Sequence, residues 1–166
     1  MTKKSLITIL LLLTTVLLSA NAQKADYQKA DSQRVMSLFR KAKGQPHAMG
    51  SYMVFFGRQL LGVPYVAKTL EKNKSEQLIV NLRQLDCTTY VETVLALSRC
   101  MMQGKPTFSN YCTQLRLIRY AKGVVSYPTR QHYFTYWIKQ NVSDGIVKDI
   151  QSPNPPFTAV KHLKVN

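Results

Sequence analysis

Acidic residues are scarce in this chain. Eight Asp and Glu stand against 23 Lys and Arg in 166 residues, a formal net charge of +15. That imbalance excludes a self-neutralised surface and points to an anionic partner. Cysteine is scarce too: Cys87, Cys100 and Cys112 are the whole complement. Three cysteines are too few for a disulfide scaffold, and no Cys-x-x-Cys pair or paired histidines suggest a zinc site. No apolar run reaches the roughly 20 residues that span a bilayer. Internal repeats and low-complexity tracts are missing, so repeat architectures are excluded. Alternating strand patterns are almost missing as well, which leaves a chain dominated by helical periodicity.

What is present begins with a leader. Lys3 and Lys4 precede an apolar stretch from Leu6 to Leu18, and Ser19-Ala20-Asn21-Ala22 ends in a small-x-small pattern. This reads as a secretory signal over residues 1–22, with Gln23 as the mature start. The expected location is therefore exported, either periplasmic or secreted. No cysteine follows the cleavage pattern, and no stable membrane anchor is expected after cleavage. The leader holds two lysines and no acid, so the mature charge becomes +13. Export argues against nucleic acid as the anion and favours cell-wall polymer or a membrane surface. A basic protein whose charge only aids solubility is the plainer alternative.

The remaining residues, 23–166, are enough for one domain with its own core. Residues 23–30 read as a polar lead-in. Asp31 is expected to cap a helix reaching about Lys43, with Val35, Leu38 and Phe39 as its apolar stripe. A second helix is predicted over residues 47–61 from the spacing of Met49, Tyr52, Met53, Phe56 and Leu60. Residues 66–76 read as loop, and Leu78 to Leu82 as a strand or a helical turn. A helix from about Cys87 to Gln103 is apolar on most sides. Another covers Phe108 to Tyr120, with Tyr111, Cys112, Leu115 and Ile118 inward and Arg116 and Arg119 outward. Gly123 to Tyr127 reads as a turn or short strand. The aromatic-rich residues 130–141 start a further helix, and 142–166 form an irregular tail that begins to look like a strand at its end.

Cys87 is the residue with chemical promise. Asp86 is a good N-cap, its side chain accepting from Thr88 or Thr89 N–H. Cys87 then lies in the first turn, where free N–H groups and the helix dipole favour negative charge on sulfur. The Asp86 charge works the other way. On these grounds alone a free cysteine is more often a small buried hydrophobe than a nucleophile. Cys100 and Cys112 flank a Gly-Lys-Pro turn. They read as two buried thiols, with a disulfide across the hairpin as the alternative.

The string LIVNLRQLDCTTYVETVLAL resembles the nucleophile segment of a bacterial cell-wall amidase family, within the NlpC-type branch of papain-like cysteine peptidases. Asp86, Cys87, Thr88, Thr89, Tyr90, Val91 and Glu92 occupy its Asp-Cys-Thr-Thr-aromatic-Val-Glu positions. LLGVPYVAKTLE, Leu60 to Glu71, is similar to the family's Gly-x-Pro-Tyr-Val block. LRLIRYAKGVVSYPTRQHYFTYWIKQN is similar to its Ile-Arg-Tyr and Tyr-x-Ser-Arg-x-His-Tyr-x-x-Asp-Trp blocks. Tyr136 departs from the aspartate favoured there, and Thr129 replaces serine but keeps the hydroxyl.

The resemblance implies an α+β fold: the helical N-terminal part of a papain-like, NlpC-type domain with most of its sheet missing, mainly helical as it stands. It implies hydrolysis of the N-acetylmuramoyl-L-alanine amide of peptidoglycan fragments by a cysteine nucleophile, with no cofactor and no metal. Peptidoglycan fragments or muropeptides are the expected partners. Cys87 is the implied nucleophile. The family's histidine sits in a His-Val-Gly-like strand context that none of His47, His132 and His162 reproduces. His132 is a tentative catalytic residue, read as substrate pocket more than base. Tyr65, Tyr127, Arg130, His132, Tyr133 and Trp137 are the expected substrate-binding residues. Without a base, the chain is expected to be a truncated amidase, inactive alone and missing a C-terminal segment. The alternatives are a non-catalytic muropeptide-binding module and a basic envelope-adhesion protein. The cysteine helix is expected to lack cover, leaving the chain poorly folded.

Overall fold

The computed structural model describes residues 25–150. The leader over 1–22 and the end of the tail, with His162, lie outside the described residues. The chain divides into two units, the first running to Arg130 and the second starting at Gln131.

The first unit is built on four helices: α1 Lys29–Lys41, α2 Met49–Gln59, α3 Cys87–Met102 and α4 Phe108–Arg119. The α3 helix is its centre, packed against α2 on one side and α4 on the other. Ten of its residues are buried, Val94 to Leu97 and Cys100 among them. Each large aliphatic side chain buried in this way contributes about 1.5–3 kcal/mol. The expectation of an uncovered cysteine helix is thus corrected, because α2 and α4 do the covering. Beside α3 lies an apolar cleft of about 350 Å³ lined by Met53, Val54, Leu61, Tyr90, Val91 and Val94.

Most positions of the predicted stripes are buried: Val35, Leu38 and Phe39 of α1, Tyr52 and Phe56 of α2 with Leu60 just past its end, and Tyr111, Leu115 and Ile118 of α4, whereas Met49, Met53 and Cys112 are only half-buried. The sheet is minimal: β1, Asp26–Tyr27, runs parallel to β2, Ile79–Val80. The lead-in therefore contains a strand, and LIVNL supplies its partner. The fold is mostly helical with a small two-stranded sheet, consistent with an α+β class.

Three local readings are corrected. Asp31 is not the cap of α1; Gln28 holds that place. The Asp31 carboxylate is fully buried, accepts from Gln28 N–H at 3.0 Å and Leu82 N–H at 2.9 Å, and pairs with Arg83 at 3.2 Å. Arg119 does not face outward. It is buried, with Nε 2.7 Å from Glu92 Oε2 and Nη1 donating to the Ile79 carbonyl at 2.7 Å. Helical spacing put Arg119 on the outer face, and a carboxylate 27 residues away pulled it in. Residues 123–127 hold no strand: Gly123 closes one short 3-10 turn, Ala121–Gly123, and Tyr127 opens another, Tyr127–Thr129.

The second unit contains α5, Phe134–Ser143, starting later than the aromatic pattern suggested. Asn141 anchors it, fully buried, with Nδ2 donating to Gln131 Oε1 at 3.0 Å and to the Trp137 carbonyl at 2.9 Å.

Candidate functional site

The start of α3 is fixed by a reciprocal cap. Asp86 has extended dihedrals, φ −105° and ψ −177°, as a capping residue needs. Its Oδ1 accepts from Thr89 N–H at 2.8 Å and from the Thr89 hydroxyl at 2.8 Å. Asp86 N–H donates back to Thr89 Oγ1 at 2.9 Å. Thr89 thus fills the place usually held by Glu or Gln in a capping box. Cys87 is the first residue of the helix and its side chain is exposed, with Sγ 4.0 Å from Thr88 Oγ1.

The other two cysteines contrast with it. Cys100 is fully buried and Cys112 partly so, and neither is bridged, so the alternative of a hairpin disulfide is not realised. Burial pushes the Cys100 thiol up to about 12 and the Cys112 thiol up to about 11. A low-dielectric setting disfavours the thiolate.

Immediately upstream, the chain is tethered to the Pro64–Val66 segment. Leu85 N–H donates to the Pro64 carbonyl and Val66 N–H to the Leu85 carbonyl, each at 3.1 Å. Tyr65 and Leu85 form a parallel bridge, and the Tyr65 side chain is 71% exposed. Two of the sequence blocks are thereby placed side by side.

Arg130 is placed differently from a free carboxylate reader. It is buried; its Nε lies 3.3 Å from Glu76 and its Nη2 3.9 Å from Glu71. Its guanidinium also covers the ring of Tyr127 at 5.2 Å, and Tyr127 itself is exposed. The Tyr120 hydroxyl, 2.7 Å from Glu76, closes this network. Burial raises the Tyr120 phenol, and Glu76 beside it adds to the rise. Thr129 uses its hydroxyl on the Val124 carbonyl and Ser126, which explains why a hydroxyl suffices at this position.

In the second unit, His132 and Tyr133 are exposed, and Trp137 is buried with its ring stacked on Phe134 at 5.5 Å. The seven predicted site residues thus fall into two groups: Tyr65, Cys87, Tyr127 and Arg130 in the first unit, and His132, Tyr133 and Trp137 in the second. Glu76 was not singled out from sequence; Glu71 and Thr89 were named only as motif positions, Thr89 also as a candidate donor to Asp86 through its three-residue spacing. Among the described residues no cluster of three His, Cys, Asp or Glu could hold a metal, and no helix is long and apolar enough to cross a membrane.

Comparison with known proteins supports a family assignment. The sequence profile of the N-acetylmuramoyl-L-alanine amidase-like family (AmiA-like) matches residues 55–165. Among solved structures, the chain is similar to an N-acetylmuramoyl-L-alanine amidase from Bacteroides uniformis ATCC 8492, with 38% identity and a TM-score of 0.54. That match covers 58% of this chain and 41% of that one. A Bacteroides fragilis structure, provisionally described as a xylanase, is 36% identical with a TM-score of 0.56, over 61% of this chain and 45% of that one. A Legionella pneumophila protein, 21% identical with a TM-score of 0.61 over 70% of this chain and 38% of that one, shares the fold. No curated protein matches. The chain spans about two fifths of the length of these structures. With the profile covering residues 55–165, from α2 through the whole cysteine helix and beyond, the chain belongs to the N-acetylmuramoyl-L-alanine amidase-like family.

Proposed function

We propose that this chain carries the nucleophile-bearing part of an exported peptidoglycan amidase of the NlpC-type, papain-like kind, with Cys87 as nucleophile. The observation that carries the reading is the exposed Cys87 side chain on the first residue of a capped, buried helix. In this reaction the sulfur adds to the lactyl carbonyl carbon of a muramoyl-L-alanine amide. N–H groups of the first turn are the natural donors to the resulting oxyanion. The intermediate collapses, the alanine amine leaves with a proton from a general acid, and water hydrolyses the thioester. His132 is assigned to the substrate pocket more than to that acid–base role. Tyr65 and Tyr127, both exposed in the first unit, supply aromatic surface for the sugar and peptide. Arg130 acts there chiefly by holding Tyr127.

Release of L-alanyl peptide from a muramyl peptide, compared between the chain and Cys87→Ala, tests the reading. Release by the chain that persists in the variant removes Cys87 as nucleophile. A chain without turnover that still binds muropeptide favours the non-catalytic module. Export is checked by mass spectrometry of the secreted protein, which is expected to begin at Gln23.

Envelope adhesion is supported by a separate observation. Seven of the eight acids have internal partners: Asp26, Asp31, Glu71, Glu76, Asp86, Glu92 and Asp144. The surface lysines and arginines are left largely uncompensated. Retention on anionic polymer that vanishes in moderate salt, equally for Arg130→Ala, would favour adhesion.

A further inference from the structure

The seam between α3 and α4 holds the two cysteines that the amidase reading leaves unused. Glu92 on α3 and Arg119 on α4 meet across it at 2.7 Å. Cys100 stands eight residues after Glu92, and Cys112 seven before Arg119. At 1.5 Å per residue these steps are about 12 Å and about 10.5 Å along two antiparallel helices. Each step is close to two full turns, so the cysteines stand level with one another on facing stripes. Bonds across the seam bracket them. Arg99 Nε donates to Gln114 Oε1 at 2.8 Å, and Asn110 Nδ2 donates to Gln103 Oε1 at 3.1 Å.

The seam is also narrow. Ala96, fully buried, lies one turn from both Glu92 and Cys100 on the same stripe, and its methyl group lets the helices close up. Packed helix axes lie about 8–10 Å apart, and Cα atoms about 2.3 Å off each axis, so facing Cα atoms are about 3.5–5.5 Å apart. A disulfide spans Cα atoms roughly 4.4–6.8 Å apart. Both residues are thiols in this structure. Burial raises the Cys100 thiol most; Arg99 lowers it, and charge on Cys112 raises it further, which puts the two sulfurs within electrostatic reach.

We propose that Cys100 and Cys112 are a redox-modification site, closing to an intramolecular disulfide that staples the α3–α4 hairpin when the chain meets a disulfide oxidant. Cys112 is the half-buried partner and reacts first. Its thiolate attacks one sulfur of the oxidant, and the other oxidant sulfur leaves as a thiolate. Cys100 then loses its proton and attacks the Cys112 sulfur, expelling the second half of the oxidant. The two cysteines lose two protons and two electrons, and the oxidant becomes two thiols. Cys87 takes no part. It lies thirteen residues back along α3 from Cys100, about 20 Å away and beyond the reach of a disulfide. The site is therefore independent of the role given to Cys87, and its closure leaves that thiol free.

The test uses the full chain, reduced, freed of reductant and held with oxidised glutathione at pH 8. It is then quenched with acid, unfolded and alkylated with N-ethylmaleimide. Tryptic peptide 100–116, uncut at Lys105 because Pro106 follows, carries both cysteines. Mass spectrometry is expected to find it two hydrogens lighter and unalkylated, in the wild type and in Cys87→Ala alike. The closed form is expected to melt at least about 5 °C above the reduced one, a gain reversed by dithiothreitol and absent in Cys112→Ser. Two alkyl groups on peptide 100–116, glutathione retained on Cys112, or a bridge from Cys87 to either residue overturns the proposal. So does a closed form that melts no higher than the reduced one. The wild-type peptide carries the decisive mass, so a variant that folds poorly leaves the test intact.

Discussion

Asp86 and Thr89 hold one another through three hydrogen bonds of 2.8–2.9 Å, and Cys87 sits between them in sequence. The first turn of α3 is therefore set by side chains and does not depend on the rest of the helix. Thr89→Val removes both hydroxyl contacts and leaves the half-buried Asp86 N–H without its acceptor. It is expected to cost about 1–2 kcal/mol in urea unfolding, whereas Thr89→Ser stays close to wild type. A loss in Thr89→Ser with none in Thr89→Val would show that the methyl group, and not the hydroxyl, matters.

The Glu92–Arg119 pair joins α3 to α4 in the interior. Burial works against the Arg119 charge, and the neighbouring Glu92 more than restores it. Removing one partner strands the other. Glu92→Leu is expected to destabilise by about 3–5 kcal/mol, and Glu92→Leu/Arg119→Met to be more stable than that single variant. A double-mutant cycle in urea reads the coupling; additive losses would mean that the two groups act independently.

Thiol chemistry separates the cysteines. At pH 8, iodoacetamide is expected to label Cys87 alone in the folded chain, because Cys100 is buried, Cys112 is half-buried, and both thiols are held protonated. Two or three labels per folded chain would contradict this.

The same burial predicts a pH dependence. Both thiols have raised values in the folded state, so their contribution is complete below the ordinary value of 9.0 and is lost as pH climbs toward about 11 and about 12. Tyr111 and Tyr120, also raised by burial, extend the loss upward from their ordinary value of 10.0. The Tm is therefore expected to fall between pH 9 and pH 11. It should fall less steeply in Cys100→Ala, although that variant starts less stable at pH 7. Parallel slopes would remove Cys100 as a cause.

Gly57 faces Tyr90 where α2 crosses α3, and a Cβ built there lies 2.8 Å from the Tyr90 hydroxyl oxygen. Alanine in a helix interior gains about 0.5–1 kcal/mol over glycine, and here a displaced ring opposes it. Gly57→Ala is expected to be near neutral in the wild type and to gain about that amount in a Tyr90→Phe background. No difference between backgrounds in thermal melts would show that the hydroxyl moves at no cost.

Sequence periodicity located the helices well because their apolar stripes are local. Val35, Leu38 and Phe39, or Tyr111, Leu115 and Ile118, report a buried face whatever lies opposite. Cys87 as the helix start was legible for the same reason, since Asp86 precedes it. Polar contacts were not legible. Asp31 looks like a cap in the sequence, yet beside the local Gln28 N–H it holds partners 51 and 52 residues away. Arg119 falls on an outward face until Glu92 is known to stand across from it. Arg130 reads as an available cation only while Glu71 and Glu76 are unplaced. A single sequence carries spacing but not which distant carboxylate a cation meets.

The short segment around β2 is held in an unusual way. The amide of Leu82, just past the strand, is closed by the Asp31 carboxylate on α1, not by a neighbouring strand. Its exchange with deuterium therefore reports on detachment of α1, not on fraying of the two-residue sheet. Leu82 becomes a slow-exchanging marker in a stretch that secondary structure alone would class as fast.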